Sequence, residues 1–416
     1  MKNRILVKQL IEKHTSSMGR VLVVTGARQT GKTTLLRNAF KDHVWVLLDD
    51  PVLRKQYASM TAQQWAKAFP CALLDEIQKL PQLIETVKAI YDTYDNTRYI
   101  LSGSSQLLLL AQVKESLAGR CHIIELYPLT LPEMLTSGWE DDPKLSFFQK
   151  LLEGTASVES LGPNLLMLPD HAERIQIFQY YLKFGGYPAI IGDEFSDRER
   201  YEWLRGYVRT YLERDIRDLA NFRNIEPFIS IQKITALCTA QTTNYSSLAR
   251  EAGITSATAR QFLSYLDISY QVILLKPWFR NQQKRLVKSP KLHYLDIGVQ
   301  QAILQKEGGL TGNEFESAIV AEIYKQAKYL QVATSFYHLR TLDGKAVDLL
   351  IETEKGYYAI EVKMTVNAGN SDSRHLTGLA ELLDKPLLGS FVLSNDPKVK
   401  NLGENITAIP AAMFLT

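Results

Sequence analysis

Val21-Leu22-Val23-Val24-Thr25-Gly26-Ala27-Arg28-Gln29-Thr30-Gly31-Lys32-Thr33-Thr34 is an apolar run, then a turn bounded by two glycines, then the start of a helix-compatible segment continuing through Leu35-Leu36-Arg37-Asn38-Ala39-Phe40. Strand, loop and helix in that order are what a phosphate-binding loop requires. Gly26 and Gly31 let the backbone bend and come close to an anion. Successive N–H groups across Gly26, Ala27, Arg28, Gln29, Thr30, Gly31 and Lys32, with the helix N-terminus at Thr33 and Thr34, then point at the β- and γ-phosphates. Lys32 adds a mobile positive charge, and the Thr33 hydroxyl suits Mg²⁺. The predicted ligands are ATP and Mg²⁺.

Working outward, the 416 residues are 45% apolar and 22% charged, ordinary for a folded protein, and the length is enough for about two to four domains. A net charge of +3 does not by itself imply a nucleic-acid partner, so any such claim must rest on where the charges cluster. Cys71, Cys121 and Cys238 are far apart and odd in number, which argues against a disulfide framework or zinc site and for a reducing cytoplasm. Met1 to Met18 lacks a signal-peptide core, and the longest aliphatic run, Leu107 to Ala111, is too short to span a bilayer, so no membrane segment is expected.

Residues 4–14 carry Ile5, Leu6, Leu10 and Ile11 at near-helical spacing. Val44 to Leu48 reads as a second strand ended by Asp49-Asp50-Pro51, and Thr61 to Phe69 as a helix. Cys71-Ala72-Leu73-Leu74-Asp75-Glu76 is an apolar strand ending in two acids, and parallel sheets place ligand chemistry at that end. Asp75 would hold the Mg²⁺ water shell, and Glu76 would polarise the water attacking the γ-phosphate. A fourth strand, Arg98 to Leu101, ends in Ser102-Gly103-Ser104-Ser105, where Ser104 or Ser105 would bond the γ-phosphate or the attacking water. Glu115 to Arg120 then leads into Cys121 to Leu126. Here the chain resembles the AAA+ ATPases, in which an arginine just before the fifth strand reaches a neighbouring subunit's nucleotide. Arg120 occupies that place, which implies a homo-oligomer; a local ion pair is the alternative.

Residues 136–170 show no sustained period and read as an irregular insertion. His171 to Ser230 is helical in pattern, broken by Gly185-Gly186-Tyr187-Pro188, and Tyr211 to Leu219 alternates charges as a salt-bridged face or as a lid whose arginines sense nucleotide. The phosphate loop, the Gly-Tyr-Pro stretch, Tyr211-Leu212-Glu213-Arg214-Asp215 and the end of the chain together resemble bacterial and archaeal ATP-binding proteins that join an AAA-type domain to a DUF4143 domain.

Thr242 to Ile273 reads as a helix-turn-helix, its second helix turning Ala259, Phe262, Leu263 and Leu266 inward and Ser256, Thr258, Arg260 and Gln261 outward as groove contacts. Lys276 to Leu292 follows with Lys276, Arg280, Lys284, Arg285, Lys288 and Lys291 against no acid. With Trp278 and Phe279 alongside, it suits a wing that touches DNA phosphates and stacks on a base. A protein-docking module is the alternative.

From Asn313 the pattern is helix (Asn313 to Tyr329), three strands (Ser335 to Arg340, Ala346 to Ile351, Tyr357 to Lys363), helix (Arg374 to Leu383) and strand (Ser390 to Ser394). Glu361 and Lys363 share a strand face, and Asp348 can join them across a hairpin. That set would hold a divalent metal near a phosphodiester. The order resembles the PD-(D/E)XK nucleases, whose first helix often carries another acid, a place for Glu316 or Glu322. The resemblance implies a second Mg²⁺ or Mn²⁺; a nuclease fold that binds without cutting, and unrelated surface charge, stay open.

The expected fold class is α/β: a P-loop AAA+ type parallel-sheet ATPase domain over 1–135, an insertion over 136–173, a helical lid over 174–235, a winged helix over 236–292 and a restriction-endonuclease-like domain over 293–416. The expected function is a cytoplasmic Mg²⁺-dependent ATPase acting on DNA, against a nucleotide switch that binds a protein partner.

Overall fold

The computed structural model describes the chain except for residues 17–18, 104–112, 114, 161–169, 213–223, 282–284, 286–287 and 342–343. The N-terminal part runs α1 (Leu6–Thr15), β1 (Val21–Thr25), α2 (Lys32–Ala39), β2 (Val44–Leu47), α3 (Pro51–Ser59), α4 (Ala62–Ala68), β3 (Cys71–Asp75), α5 (Leu83–Thr93), β4 (Arg98–Ser102) and β5 (Cys121–Glu125). All five residues of β1 are buried, as expected of a strand covered on both faces. The sheet order is β2-β3-β4-β1-β5 with every pair parallel. The carboxyl ends of β1, β3 and β4 therefore bring Thr25, Asp75 and Ser102 to one edge. Helix α3 differs from the expected loop: Asp50 accepts from the Val52 and Leu53 amides and Pro51 takes the first helical turn, so the Asp-Asp-Pro run that ends a strand also starts a helix.

Then come α6 (Leu131–Met134), α7 (Phe147–Glu153), α8 (His171–Phe184) and α9 (Asp197–Tyr207). Helix α7 lies where an irregular insertion was expected. A capping box between Ser146 and Gln149 starts it, and Phe148, Leu151 and Leu152 bury its inner face. Helices α10 (Glu226–Leu237), α11 (Tyr245–Glu251) and α12 (Ser256–Ile268) precede and follow the short β6 (Gln241–Thr242), and β7 (Val272–Pro277) and β8 (Lys291–Tyr294) complete a unit of three helices and three strands. Helices α13 (Ile297–Leu304) and α14 (Gly312–Lys328) lead into β9 (Ser335–Arg340), β10 (Ala346–Glu352), β11 (Tyr357–Lys363), β12 (Leu387–Ser394), β13 (Lys400–Gly403), β14 (Ile406–Pro410) and α15 (Ala411–Leu415).

Two features depart from the sequence reading. Residues 374–383 form turns instead of a helix, because Gly378 takes φ 66° while Leu376, Leu379 and Leu383 are pulled into the core separately. The wing also does not end its own sheet: β7 pairs in parallel with β9 through Lys276 opposite Tyr337 and Pro277 opposite His338, giving one nine-stranded sheet in the order β13-β14-β12-β11-β10-β9-β7-β8-β6. The two sheets share a core that includes Leu22, Leu36, Phe148, Ile319 and Phe414. Across that junction Leu131 N donates to Glu322 at 2.7 Å and Lys325 donates to the Leu129 carbonyl at 3.2 Å, so the chain after β5 is fastened along α14.

Candidate functional site

The phosphate loop is shaped by backbone no other residue would supply. At Gly26, φ is 149° and a Cβ would lie 2.1 Å from the Leu126 carbonyl; at Gly31, φ is 88° where α2 begins. Gln29 takes φ 62°, an uncommon conformation for a residue with a side chain. The loop is braced from several sides. Arg4 Nη1 donates to Thr30 O at 3.0 Å, Thr30 Oγ1 donates to Ala27 O at 2.9 Å, and Tyr207 OH donates to Arg28 O at 3.2 Å while bonded to Tyr187 OH at 3.0 Å. The Gly-Tyr-Pro stretch thus lies over the loop.

Lys32 is nearly buried and donates to the carbonyls of Gly26 and Ala27 at 2.9 and 2.8 Å, which holds its ammonium across the loop. Thr33 Oγ1 donates to Asp75 Oδ2 at 2.9 Å, Trp45 Nε1 reaches the same oxygen at 3.4 Å, and Ser102 Oγ donates to Oδ1. Three residues from separate strands or helices, Thr33, Asp75 and Ser102, therefore meet. Ser104 and Ser105, expected at the γ-phosphate or the attacking water, lie outside the described residues, and the sequence reading gave Ser102 no part. Glu76 takes φ 58° and ψ 44°, and Gln78 Nε2 donates to its carboxylate. The left-handed region is uncommon for an acid and sets Glu76 apart at the end of β3.

Arg120 Nε and Nη2 donate to Asp92 of α5 at 2.8 and 3.2 Å on the surface. It precedes β5, whose Cys121 is opposite Val21, whereas the loop leaves β1 at Thr25; along the strand that is about 13 Å away. Within its own chain Arg120 does not reach the loop.

In the segment expected as a winged helix, Ser256 and Arg260 are on the surface and Thr258 is half-buried, its amide capped by Thr255; Arg260 lies over the Tyr245 ring at 4.7 Å. In the wing Arg280 and Lys288 are exposed, and Lys284 lies outside the described residues. Arg285 corrects the expectation of an outward basic strip. It is buried, ion-paired with Glu352 at 3.3 Å and Asp384 at 3.5 Å, and donates to Phe279 O at 2.5 Å. Trp278 is likewise buried and donates to Tyr357 OH at 3.1 Å, so it offers no stacking face. The lid stretch from Glu213 to Leu219 lies outside the described residues. Just past the other end of α12, Tyr270, with φ 59°, bonds Thr25 Oγ1 at 2.8 Å and Glu125 Oε1 at 3.4 Å, which ties that helix to the root of the loop.

In the C-terminal domain the tertiary structure gathers Glu316, Asp348, Glu361 and Lys363, and sends Glu322 elsewhere, to Lys325 at 2.8 Å. Lys363 Nζ is 2.8 Å from Glu361 and 3.8 Å from Asp348, and Val362 N donates to Asp348 Oδ2 at 3.0 Å. Lys291, counted in the sequence as part of the wing, is inside: its Nζ is 2.5 Å from Glu316 and 3.0 Å from Asp348. Burial alone would lower the Lys291 ammonium, but Asp348 and Glu316 together hold it above the ordinary lysine range. Burial, then the charge of Asp348, pushes Glu316 up to about 8 and Glu361 up to about 7, against the opposing pull of Lys291 on Glu316 and Lys363 on Glu361. Among the described residues no three His, Cys, Asp or Glu side chains converge as a metal site.

A family model described as "AAA domain" matches residues 18–135 and one described as a domain of unknown function, DUF4143, matches residues 311–414. The chain contains an AAA domain and a DUF4143 domain. Between them, a model for a domain of unknown function, DUF8612, matches 175–309, spanning the ranges expected as lid and winged helix. The Mycobacterium tuberculosis protein Rv2008c is 26% identical over 407 residues, 95% of this chain and 81% of its own length. The Methanocaldococcus jannaschii protein MJ1544 is 22% identical over 298 residues, 67% of this chain and 60% of its own length. Among solved structures, the Walker-type ATPase PABY2304 of Pyrococcus abyssi is similar at TM-score 0.45 and 15% identity over 73% of this chain and 96% of that one. The Aeropyrum pernix ORC1 protein, solved in complex with DNA, is similar at 0.30 and 12% identity over 72% and 91%. The AAA-domain match covers the parallel five-stranded sheet and the loop between β1 and α2. No described helix is long and apolar enough to cross a membrane.

Proposed function

We propose that this chain is a Mg²⁺-dependent ATPase whose nucleotide state sets how its winged helix engages DNA. The observation that carries the reading is the meeting of Thr33, Asp75 and Ser102 beneath a loop whose lysine lies across its carbonyls. Thr33 and Asp75 are hard oxygen donors 2.9 Å apart, a set that fits Mg²⁺ and would hold it. When bound, that ion offsets charge on the phosphates. Lys32 and the loop amides bind the β- and γ-phosphates, Glu76 accepts the proton of the attacking water, and Ser102 keeps Asp75 oriented. Arg120 of one chain serves a neighbour's nucleotide, which makes turnover per chain rise with protein concentration; a flat dependence across the assembly range would remove that role.

Coupling has a physical route in this reading. Tyr270 joins Thr25, the residue before Gly26, to the end of α12, so a shift of the loop reaches the helix that carries Arg260. Exposed Lys276, Arg280 and Lys288 supply phosphate contacts. The test is steady-state ATP hydrolysis while duplex, forked, four-way and single-stranded DNA are titrated in. Stimulation by one of them is the expected result, and indifference to all would overturn DNA coupling while leaving the ATPase. The second reading, a nucleotide switch that docks a protein, is favoured by one observation: Arg285, Trp278 and Lys291 are turned inward, which thins the wing's basic face. The second Mg²⁺ or Mn²⁺ does not fit the C-terminal cluster, where the Lys291 ammonium lies between Glu316 and Asp348.

A further inference from the structure

In the C-terminal cluster both oxygens of Asp348 are engaged. Oδ1 faces Lys291 at 3.0 Å, and Oδ2 accepts from Val362 N at 3.0 Å with Lys363 at 3.8 Å. Lys363 belongs to the Glu-x-Lys pair and lies beside Glu361. Lys291 does not belong to that pattern. It arrives from β8, a strand of the wing sheet, and bridges α14 and β10 by touching Glu316 and Asp348 together.

Its anchorage matters as much as its position. Lys291 is opposite Leu275 of β7 on one side and Thr242 of β6 on the other, so its backbone is held in a sheet and not in a loop that could swing away. Two residues on, on the same face, His293 is fully buried with neither ring nitrogen hydrogen-bonded, and its Nε2 is 3.9 Å from Glu316. Burial and the nearby Lys291 charge keep that ring neutral, so it adds no second cation. A divalent ion placed among these carboxylates would sit within a few ångströms of a fixed ammonium in a low-dielectric interior, where like charges repel strongly.

We infer that Lys291 is the resident cation of this cluster: the carboxylate set that would take a divalent ion instead clamps the wing strand β8 to α14 and β10, and the DUF4143 domain holds no metal and cuts no phosphodiester. The cluster is an interdomain joint built from the parts of a hydrolytic site. The inference is independent of the ATPase reading.

The test is a Mn²⁺ titration of the full chain without nucleotide, with free Mn²⁺ followed by its paramagnetic resonance. Wild type and Asp348→Asn are expected to bind the same number of ions, since any ion at Thr33 and Asp75 is common to both. Lys291→Met is expected to gain one ion per chain, lost again in the Lys291→Met/Asp348→Asn double variant, and Mn²⁺ is expected to raise its melting temperature by more than that of wild type. A Mn²⁺ site in wild type that disappears in Asp348→Asn, or metal-dependent DNA cleavage by wild type that Asp348→Asn abolishes, would overturn the inference. So would a folded Lys291→Met chain that gains no ion. If Lys291→Met does not fold, the comparison of wild type with Asp348→Asn still decides.

Discussion

The phosphate loop and the C-terminal cluster hold their charged side chains in different ways. At the phosphate loop, Lys32 donates to backbone carbonyls and Asp75 accepts from two hydroxyls and an indole. In the C-terminal cluster Lys291 and Lys363 are spent on Glu316, Asp348 and Glu361. A charge neutralised by its own protein has little left for a partner, and removing one member leaves the other buried and costly. The difference separates a site built to bind from a site built to hold.

The largest effect should come at the binding site. Glu76→Gln is expected to retain ATP and lose about 10²- to 10⁴-fold in turnover, the range for removing a general base; single-turnover hydrolysis with a parallel nucleotide-binding assay measures both, and normal turnover would strip Glu76 of its role. Next comes the holding region. Arg285→Ala leaves Asp384 without its cation and Glu352 with Lys385 alone, at 2.7 Å, and should cost about 1–2 kcal/mol in urea unfolding, discounted from a fully buried pair because Asp384 is one-third exposed. A loss under about 0.5 kcal/mol would put Arg285 back among the surface residues.

Acid should separate the regions by sign. His14 is buried, bonded to Gly19 O at 3.0 Å and His43 at 2.9 Å, and its pKa is pushed down to about 4 by burial and then by His43. The unfolded chain protonates first, so this contribution is complete above about pH 6.5 and is lost as pH falls toward 4, by at most about 3 kcal/mol. Glu316 and Glu361, raised in the folded chain, contribute fully below the ordinary carboxylate range and lose it as pH rises through about 7 to 8. Hydrogen exchange should therefore show α1 opening more readily at pH 5 than at pH 8, and β10 and β11 the reverse; the same sign in both would break the contrast. The smallest effect is on the wing surface. Arg280→Ala and Lys288→Ala should leave stability within about 0.5 kcal/mol and each flatten the salt dependence of DNA affinity by up to about 0.9. An unchanged slope would place the DNA elsewhere.

What could be read from the chain follows the range of the contacts. The phosphate loop is local: two glycines, a lysine and a threonine within eight residues, Gly26 to Thr33, set its turn. Ser102 shows where such reading stops. In sequence it is one of three serines at and just past the end of β4, and its part depends on Asp75, which arrives on the neighbouring strand. Lys291 and Arg285 were legible as charge but not as direction. A run of lysines and arginines without acids reads as solvent-facing until the acids arrive from α14, β10 and the chain near Asp384. One signal was present, since Lys291 begins the apolar strand Lys291–Tyr294 and a charge at a strand position facing a core must be met by a partner.

The sequence alone determined the glycine-bounded loop between β1 and α2, the acidic strand end at Asp75 and Glu76, the helix pair around the Gly253 turn and the strand order around Asp348 and Glu361, because periodicity and turn chemistry act over a few residues. Tertiary structure alone decided that the wing and the C-terminal strands form one sheet, that Ser102 orients Asp75, and that Lys291 fills the carboxylate cluster. Those outcomes depend on which distant charges and hydrogen-bonding edges meet, and a buried group takes whatever partner the packing brings to it.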